Sequence, residues 1–306
     1  MSLVSMMKGR GPSGFGYGST AEEVTEGLNL SGRTYVVTGA NSGLGLETVR
    51  VLTMRGAKVF GLGRTAEKVA QATASFGANV EAVGCELSDP QSVRSAVTTL
   101  QGRGVQFDAI IANAGIMALP KLEKAFGYEL QFFTNHIGHF LLVTGLLDKL
   151  SPTGRVVMLS SDAHTRAPRA GIQFDNLDGA RGYSPWANYG QSKLANLLFA
   201  RHLAKRLAGT QQTANALHPG VIATNLSRSS GGLVQTVLRL AEPIFLKSVG
   251  QGAATQVYVA THPSLGQVSG EYFADCNVAV SSRNGQDLAL AERLWQESER
   301  IVASLP

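Results

Sequence analysis

Apolar and polar positions change rhythm at Arg33. Beyond it, short apolar runs alternate with stretches in which apolar residues recur at helical spacing. Tyr35-Val36-Val37, Lys58-Val59-Phe60, Val80-Glu81-Ala82-Val83, Ala109-Ile110-Ile111, Val156-Val157-Met158-Leu159 and Thr213-Ala214-Asn215-Ala216-Leu217 read as strands, and Glu271-Tyr272-Phe273 as one more. Most of these runs are apolar at successive positions, the pattern of strands covered on both faces. Strand and helix taken in turn predict an α/β fold: a doubly wound parallel sheet of about seven strands, helices on both faces, in a single domain over 32–306.

Residues 1–31 behave differently. Gly9, Gly11, Gly14, Gly16 and Gly18 make most of the arm loose, and its packing over the domain surface is the favoured outcome. Ser19 and Thr20 stand three residues before Glu22 and Glu23, the pattern of a capping box that opens a short helix, which Gly27 ends. Late in the chain, 225–250 holds Leu233, Val237, Leu240, Ile244 and Phe245 at helical spacing. A lid over an apolar substrate is predicted there. The second reading is a membrane-contacting helix, with Arg228, Arg239 and Lys247 on its polar face.

Composition narrows the function classes. With 306 residues, 44% hydrophobic and 16% charged, the chain reads as an ordinary globular protein. Its net charge of +5 is spread without clusters of Lys and Arg among aromatics, which argues against nucleic acid as a partner. No apolar stretch reaches membrane-spanning length and residues 1–17 lack the apolar core of a signal peptide, so a soluble protein without an integral membrane segment is expected. Cys85 and Cys276 have neither metal spacing nor a disulfide framework, which points to buried thiols in a reducing compartment, the cytoplasm. His136 and His139 lie one helical turn apart but no third ligand accompanies them, so no metal is expected.

The chemistry begins where the first strand runs into Thr38-Gly39-Ala40-Asn41-Ser42-Gly43-Leu44-Gly45, ahead of a helical pattern. Strand, glycine turn and helix together form a dinucleotide site: Gly39 permits the turn, Gly43 admits the pyrophosphate to the backbone, Gly45 lets helix pack on strand, and the helix start supplies oriented amides. Asn41, Ser42 and Leu44 complete the cradle. The second strand ends in Gly61-Leu62-Gly63-Arg64, with no carboxylate to accept from a ribose 2′-hydroxyl. Arg64 is instead placed to pair with a 2′-phosphate, so NADP(H) is favoured and NAD(H) is the second choice; a solvent-facing arginine is the bland alternative. Tyr189 and Lys193, four apart, share one helix face. A phenol beside an ammonium is an acid-base device, since the cation favours the phenolate.

The glycine turn, Asn113-Ala114-Gly115 after a strand, Asn135, Ser160-Ser161, Tyr189 with Lys193, and Pro219-Gly220 through Thr224 occur in the order of the short-chain dehydrogenases/reductases, which the chain resembles from Leu30 to about Cys276. Asn135-His136-Ile137-Gly138-His139-Phe140 and Gly270-Glu271-Tyr272-Phe273-Ala274-Asp275-Cys276 make it most similar to the retinol dehydrogenase branch and its relatives, the WW-domain-containing oxidoreductase and the chloroplast inner-envelope translocon dehydrogenase. The resemblance implies a Rossmann fold and four catalytic residues. Tyr189 would exchange the proton, Lys193 would lower its pKa and hold the nicotinamide ribose, Ser161 rather than Ser160 would bind the reacting oxygen, and Asn135 would anchor a relay water. Asn113, Ala114 and Gly115 would wall the adenine side, with Glu86 and Leu87 standing where the family commonly has an aspartate. Pro219, Gly220 and Val221 would line the nicotinamide end and Thr224 would bind its carboxamide.

Hydride transfer between NADP(H) and a carbonyl or alcohol of a hydrophobic small molecule is therefore the expected activity. A dinucleotide-binding regulatory or scaffold protein is the alternative. An extended relative acting as epimerase or dehydratase is disfavoured, because about eighty residues after Pro219 are too few for a second domain. The segment 162–188, with Arg166, Arg169, Arg181, Tyr183 and Trp186, lengthens the usual serine-to-tyrosine spacing and is expected to rim the substrate pocket. Relatives often pair through the helices carrying Asn135 and Tyr189, which makes a homodimer the candidate assembly while the sequence leaves the oligomeric state open.

Overall fold

The computed structural model describes residues 9–222 and 246–306. In chain order they form α1 (Ala21–Val24), β1 (Thr34–Thr38), α2 (Gly43–Met54), β2 (Lys58–Gly63), α3 (Ala66–Thr73), β3 (Val80–Gly84), α4 (Pro90–Gln101), β4 (Phe107–Ala112) and a small hairpin of β5 (Lys124–Ala125) and β6 (Tyr128–Glu129). Then come α5 (Leu130–Phe132), a π-helical turn (Phe133–Ile137), α6 (Gly138–Leu146), β7 (Leu150–Leu159), α7 (Pro185–Arg206), β8 (Thr213–His218), α8 (Val249–Thr261), β9 (Tyr272–Ala274), β10 (Asn277–Val278) and α9 (Leu288–Ser304).

The large sheet runs β10-β9-β8-β7-β4-β1-β2-β3. Its order reverses between β1 and β4, where Tyr35 pairs with Val59 on one side and with Ala109 on the other. A doubly wound sheet opens a crevice at such a switch point, beyond the carboxyl ends of the strands. Side chains alternate between two cores as strand geometry requires. Val36, Ile110 and Val156 face the α4, α6, α7 and α9 side, while Val37, Ile111 and Val157 face α1, α2 and α8. The sheet has eight strands rather than about seven. The extra one is β10, antiparallel to β9 across a turn in which Asp275 and Cys276 adopt φ of 51° and 62°.

The arm from residue 9 onward is packed. Ser13 N–H donates to Asn277 Oδ1 at 3.0 Å, the Phe15 ring meets Tyr258 edge-on at 5.6 Å, and Tyr17 is buried. Gly16 serves close approach rather than flexibility, since a Cβ there would sit 2.2 Å from Gly9 O. Only one of the two candidate capping boxes forms. Thr20 N–H donates to Glu23 Oε2 and Glu23 N–H to Thr20 Oγ1, whereas Ser19 Oγ accepts from Gly16 N–H.

α9 covers α6 and α7. Trp295 packs on Phe140 at 4.9 Å, stacks on Phe199 at 5.3 Å and on His202 at 4.8 Å, and His136 Nε2–H donates to Ser298 Oγ at 2.8 Å. A homodimer through these helices would need a face that the chain's own last helix occupies.

Candidate active site

A cavity of about 920 Å³ lies beyond the carboxyl ends of the strands, at the switch point. The glycine turn forms one wall. Gly39 has φ 70°, and Gly45 is pressed so close to β1 that a Cβ would fall 2.2 Å from Gly39 O, so no larger residue fits. Ser42 is the N-cap of α2 but makes no side-chain cap, and the first turn holds no acid, which leaves its amides directed at the cavity side where Asn41, Ser42, Gly43 and Leu44 line the wall. Arg64, exposed at the end of β2, lines the same end. Glu86 lines it too, with Oε1 accepting from both N–H and Oγ–H of Ser88, and Leu87 is buried beside it.

A buried polar network holds the turn after β4. Thr38 Oγ1 accepts from Asn113 N–H and Ala114 N–H, both at 2.9 Å, and Asn113 Nδ2 donates to Thr38 O. The Thr38 hydroxyl lies 2.9 Å from His139 Nε2, while His139 Nδ1 lies 2.9 Å from Asn135 O. A carbonyl only accepts, so Nδ1 carries the proton and Nε2 accepts from Thr38. Burial first, and the Lys193 cation as well, pull this imidazole down to about 4 and keep it neutral. Asn113 Oδ1, buried on the cavity wall, has no partner among the described residues, an acceptor open to a ligand.

Asn135 sits in the π-helical turn, and its side chain braces the neighbouring loop. Oδ1 accepts from Ile116 N–H at 2.8 Å, and Nδ2 donates to Ile116 O and to Ser192 Oγ at 2.9 Å. Gly115 packs between it and Lys193: a Cβ there would be 3.0 Å from Asn135 Oδ1 and 3.2 Å from Lys193 Nζ. Lys193 Nζ donates to Leu159 O at 3.0 Å. The two serines diverge as strand alternation demands. Ser160 Oγ–H is buried and donates to Lys193 O at 2.7 Å, whereas Ser161 turns its hydroxyl to the Tyr189 phenol in the cavity.

The electrostatics differ from the simple picture of a lysine-activated phenolate. Burial pushes the Tyr189 phenol up to about 12, and the hydrogen bond from Ser161 only partly offsets this. Lys193 is itself pulled down to about 8 by burial, with Nζ 5.8 Å from the centre of the phenol ring. Desolvation therefore sets the state of the phenol, and Tyr189 stands protonated, ready to donate.

Pro219, Gly220 and Val221 line the far end, and Thr224 lies outside the described residues. Most of the expected lid does too. Its described end, 246–250, contains Lys247 and the start of α8. Lys247 does not belong to a solvent-facing polar face. It is 1% exposed, its N–H donates to Val221 O, its stem fills the space a Cβ would take on Gly220 (φ 94°), and its Nζ pairs with Asp275 Oδ1 at 2.6 Å under the Tyr17 ring. This support was not readable in the sequence because three distant segments build it. His164 braces the loop, bonded to Ser161 O and Ser282 N–H. Cys85 and Cys276 are free and buried, each thiol pushed up to about 12 by desolvation. Among the described residues no group of His, Cys, Asp and Glu could hold a metal ion, and no helix is long and apolar enough to cross a membrane.

A doubly wound sheet with a glycine cradle at its switch point and a protonated phenol beside a buried ammonium is the architecture of an oxidoreductase of Rossmann fold. The chain belongs to the short-chain dehydrogenases, whose family model matches residues 33–232. It is 42% identical over 321 residues to the short-chain dehydrogenase TIC 32 A, chloroplastic, of Brassica napus, covering 100% of both chains. It is 40% identical over 285 residues to retinol dehydrogenase 12 of Mus musculus, covering 91% of this chain and 89% of the relative. The crystal structure of an uncharacterized protein from Mycobacterium Paratuberculosis matches with TM-score 0.74 and 34% identity over 94% of this chain and 98% of that one.

Proposed function

We propose that this short-chain dehydrogenase reduces the carbonyl of a hydrophobic aldehyde or ketone with NADPH, and oxidises the corresponding alcohol in reverse. The observation that carries the reading is the convergence of Ser161, Tyr189 and Lys193 on one cavity whose other end is the glycine cradle. The residues fit a dinucleotide. Gly43 leaves open space at the turn, α2 points open amides, and Asn113 Oδ1 awaits a donor. Arg64 would hold a 2′-phosphate, with no carboxylate beside it at the end of β2 to repel one. Pro219, Gly220 and Val221 would hold the nicotinamide end, with Thr224 on its carboxamide, as the sequence resemblance implies.

When bound, NADPH supplies the hydride. The chain's own residues handle the oxygen. Ser161 Oγ–H and the Tyr189 phenol converge on the substrate oxygen, and Tyr189 gives its proton as negative charge develops there. Lys193, still cationic at neutral pH, stabilises the phenolate that remains. Reduction leaves Tyr189 needing a proton, which the Asn135 side of the site would return. Ile116, Met117, Leu130 and Trp186 give the substrate end an apolar wall, which suits a hydrophobic molecule. The buried thiols suit a reducing compartment; the cytoplasm is one, and the chloroplastic relative names another.

The test is a panel of aldehydes, retinoid-like ketones, steroids and aromatic ketones, followed by loss of NADPH absorbance with NADH alongside. Turnover favouring NADPH supports the reading. Tight NADPH binding without turnover of any substrate would favour the regulatory alternative.

A further inference from the structure

We propose that Arg166 and Trp186 form a subsite for an anionic group at the outer end of the substrate, so that flat apolar aldehydes and ketones bearing a carboxylate remote from the carbonyl are preferred. The inference rests on the oxidoreductase reading and adds the substrate class.

Both residues come from the segment that separates Ser161 from Tyr189. Arg166 ends the short helical turn Asp162–Arg166 that follows Ser161, and Trp186 stands in the first turn of α7, three residues before Tyr189 and so on the same face. Both line the cavity. The indole meets the Tyr189 phenol edge-on at 6.1 Å, yet Trp186 is 44% exposed, a large aromatic left open directly beside the proton donor. A flat substrate whose carbonyl reaches Tyr189 would lay its body against that ring.

The Arg166 guanidinium lies 5.3 Å from the centre of the Trp186 ring. Contact with an aromatic ring steadies a guanidinium while leaving N–H groups available for a planar anion. Among the described residues no carboxylate pairs with Arg166: Asp162, which opens the same turn and also lines the cavity, forms no ion pair with it. The cavity thus carries a cation at each end, Arg64 beside the glycine cradle and Arg166 beyond Tyr189, with Lys193 buried between them and bonded to Leu159 O. Arg64 is left to the phosphates of the dinucleotide, and among the described residues no carboxylate meets Arg166, which leaves its guanidinium to an anion on the substrate.

The experiment compares para-carboxybenzaldehyde with its methyl ester, using NADPH and wild-type protein at low salt. A charge-assisted pair at a partly open site predicts a kcat/KM for the acid about tenfold above that for the ester. Arg166→Gln should bring the ratio to about one, Arg166→Lys should keep part of the preference, and Arg166→Glu should reverse it. A wild-type ratio of one or below, or a ratio that Arg166→Gln leaves in place, overturns the subsite. A second readout is independent of turnover. In a Trp295→Phe background, quenching of the remaining Trp186 fluorescence by benzoate but not by benzamide, abolished by Arg166→Gln, supports the subsite even if neither aldehyde is reduced, an outcome that would count against the oxidoreductase reading alone. Equal quenching by benzoate and benzamide overturns it.

Discussion

Thr38 holds together the end of β1, the turn after β4 and the start of α6, and its removal should therefore cost far more than a surface threonine. Thr38→Val keeps the shape but takes away the hydroxyl. Asn113 N–H and His139 Nε2, both buried, and Ala114 N–H, part-buried on the cavity wall, then lose their partner. A stranded buried group costs about 1–3 kcal/mol, so a loss of about 3 kcal/mol or more in unfolding free energy is expected. His139→Phe strands the Thr38 hydroxyl hydrogen and Asn135 O, two groups, and should cost about 2 kcal/mol on the same scale. Because the Thr38–His139 bond is lost in both, the double variant should cost less than the sum, with a coupling of about 1 kcal/mol. Urea denaturation of the four proteins of this cycle measures it. Additive losses, or a Thr38→Val cost within about 0.5 kcal/mol of zero, the range of an ordinary surface substitution, would refute the network.

Three further outcomes follow from the same structure. Burial holds His136 down to about 3 and both His139 and His218 down to about 4, against an ordinary value of 6.5. The unfolded chain takes up these protons first, so the stability they contribute is fully present above pH 6.5 and is lost as pH falls toward 4, by about 1.4 kcal/mol per pH unit for each histidine; a midpoint of urea unfolding that stays flat over this window would contradict it. Arg64→Ala should weaken NADPH by about tenfold or more through loss of a charge-assisted pair while leaving NADH nearly untouched, and equal losses measured by fluorescence titration would remove the phosphate argument. Trp295→Ala should lower stability by about 3–5 kcal/mol as α9 loses its anchor on α6 and α7, and sedimentation should find the wild type monomeric, whereas a stable wild-type dimer would show that another face pairs.

The features readable in the sequence are those whose cause lies within one element. Buried strands announce themselves by continuous apolar runs, the glycine turn by its place between strand and helix, and Tyr189 with Lys193 by spacing on one helix. β10 was not readable, because two residues after a turn of positive φ carry no periodicity. The arm glycines were ambiguous for a physical reason. Glycine serves both freedom and close approach, and only the contact of Gly16 with Gly9 O decides which. Lys247 looked like part of a solvated face, yet it is buried between Gly220, Asp275 and Tyr17, residues that lie far apart along the chain. Likewise, spacing places Lys193 beside Tyr189 but carries no measure of desolvation, which pushes the phenol up and the ammonium down.

Single-turnover reduction of an accepted aldehyde by Tyr189→Phe tests whether the Tyr189 phenol donates the proton in the proposed hydride transfer. Phenylalanine keeps the ring that packs against Trp186 and removes only the hydroxyl facing Ser161. NADPH affinity should stay close to wild type while the rate of NADPH oxidation falls by about 100-fold or more, the usual worth of a positioned acid. Oxidation at the wild-type rate would contradict it.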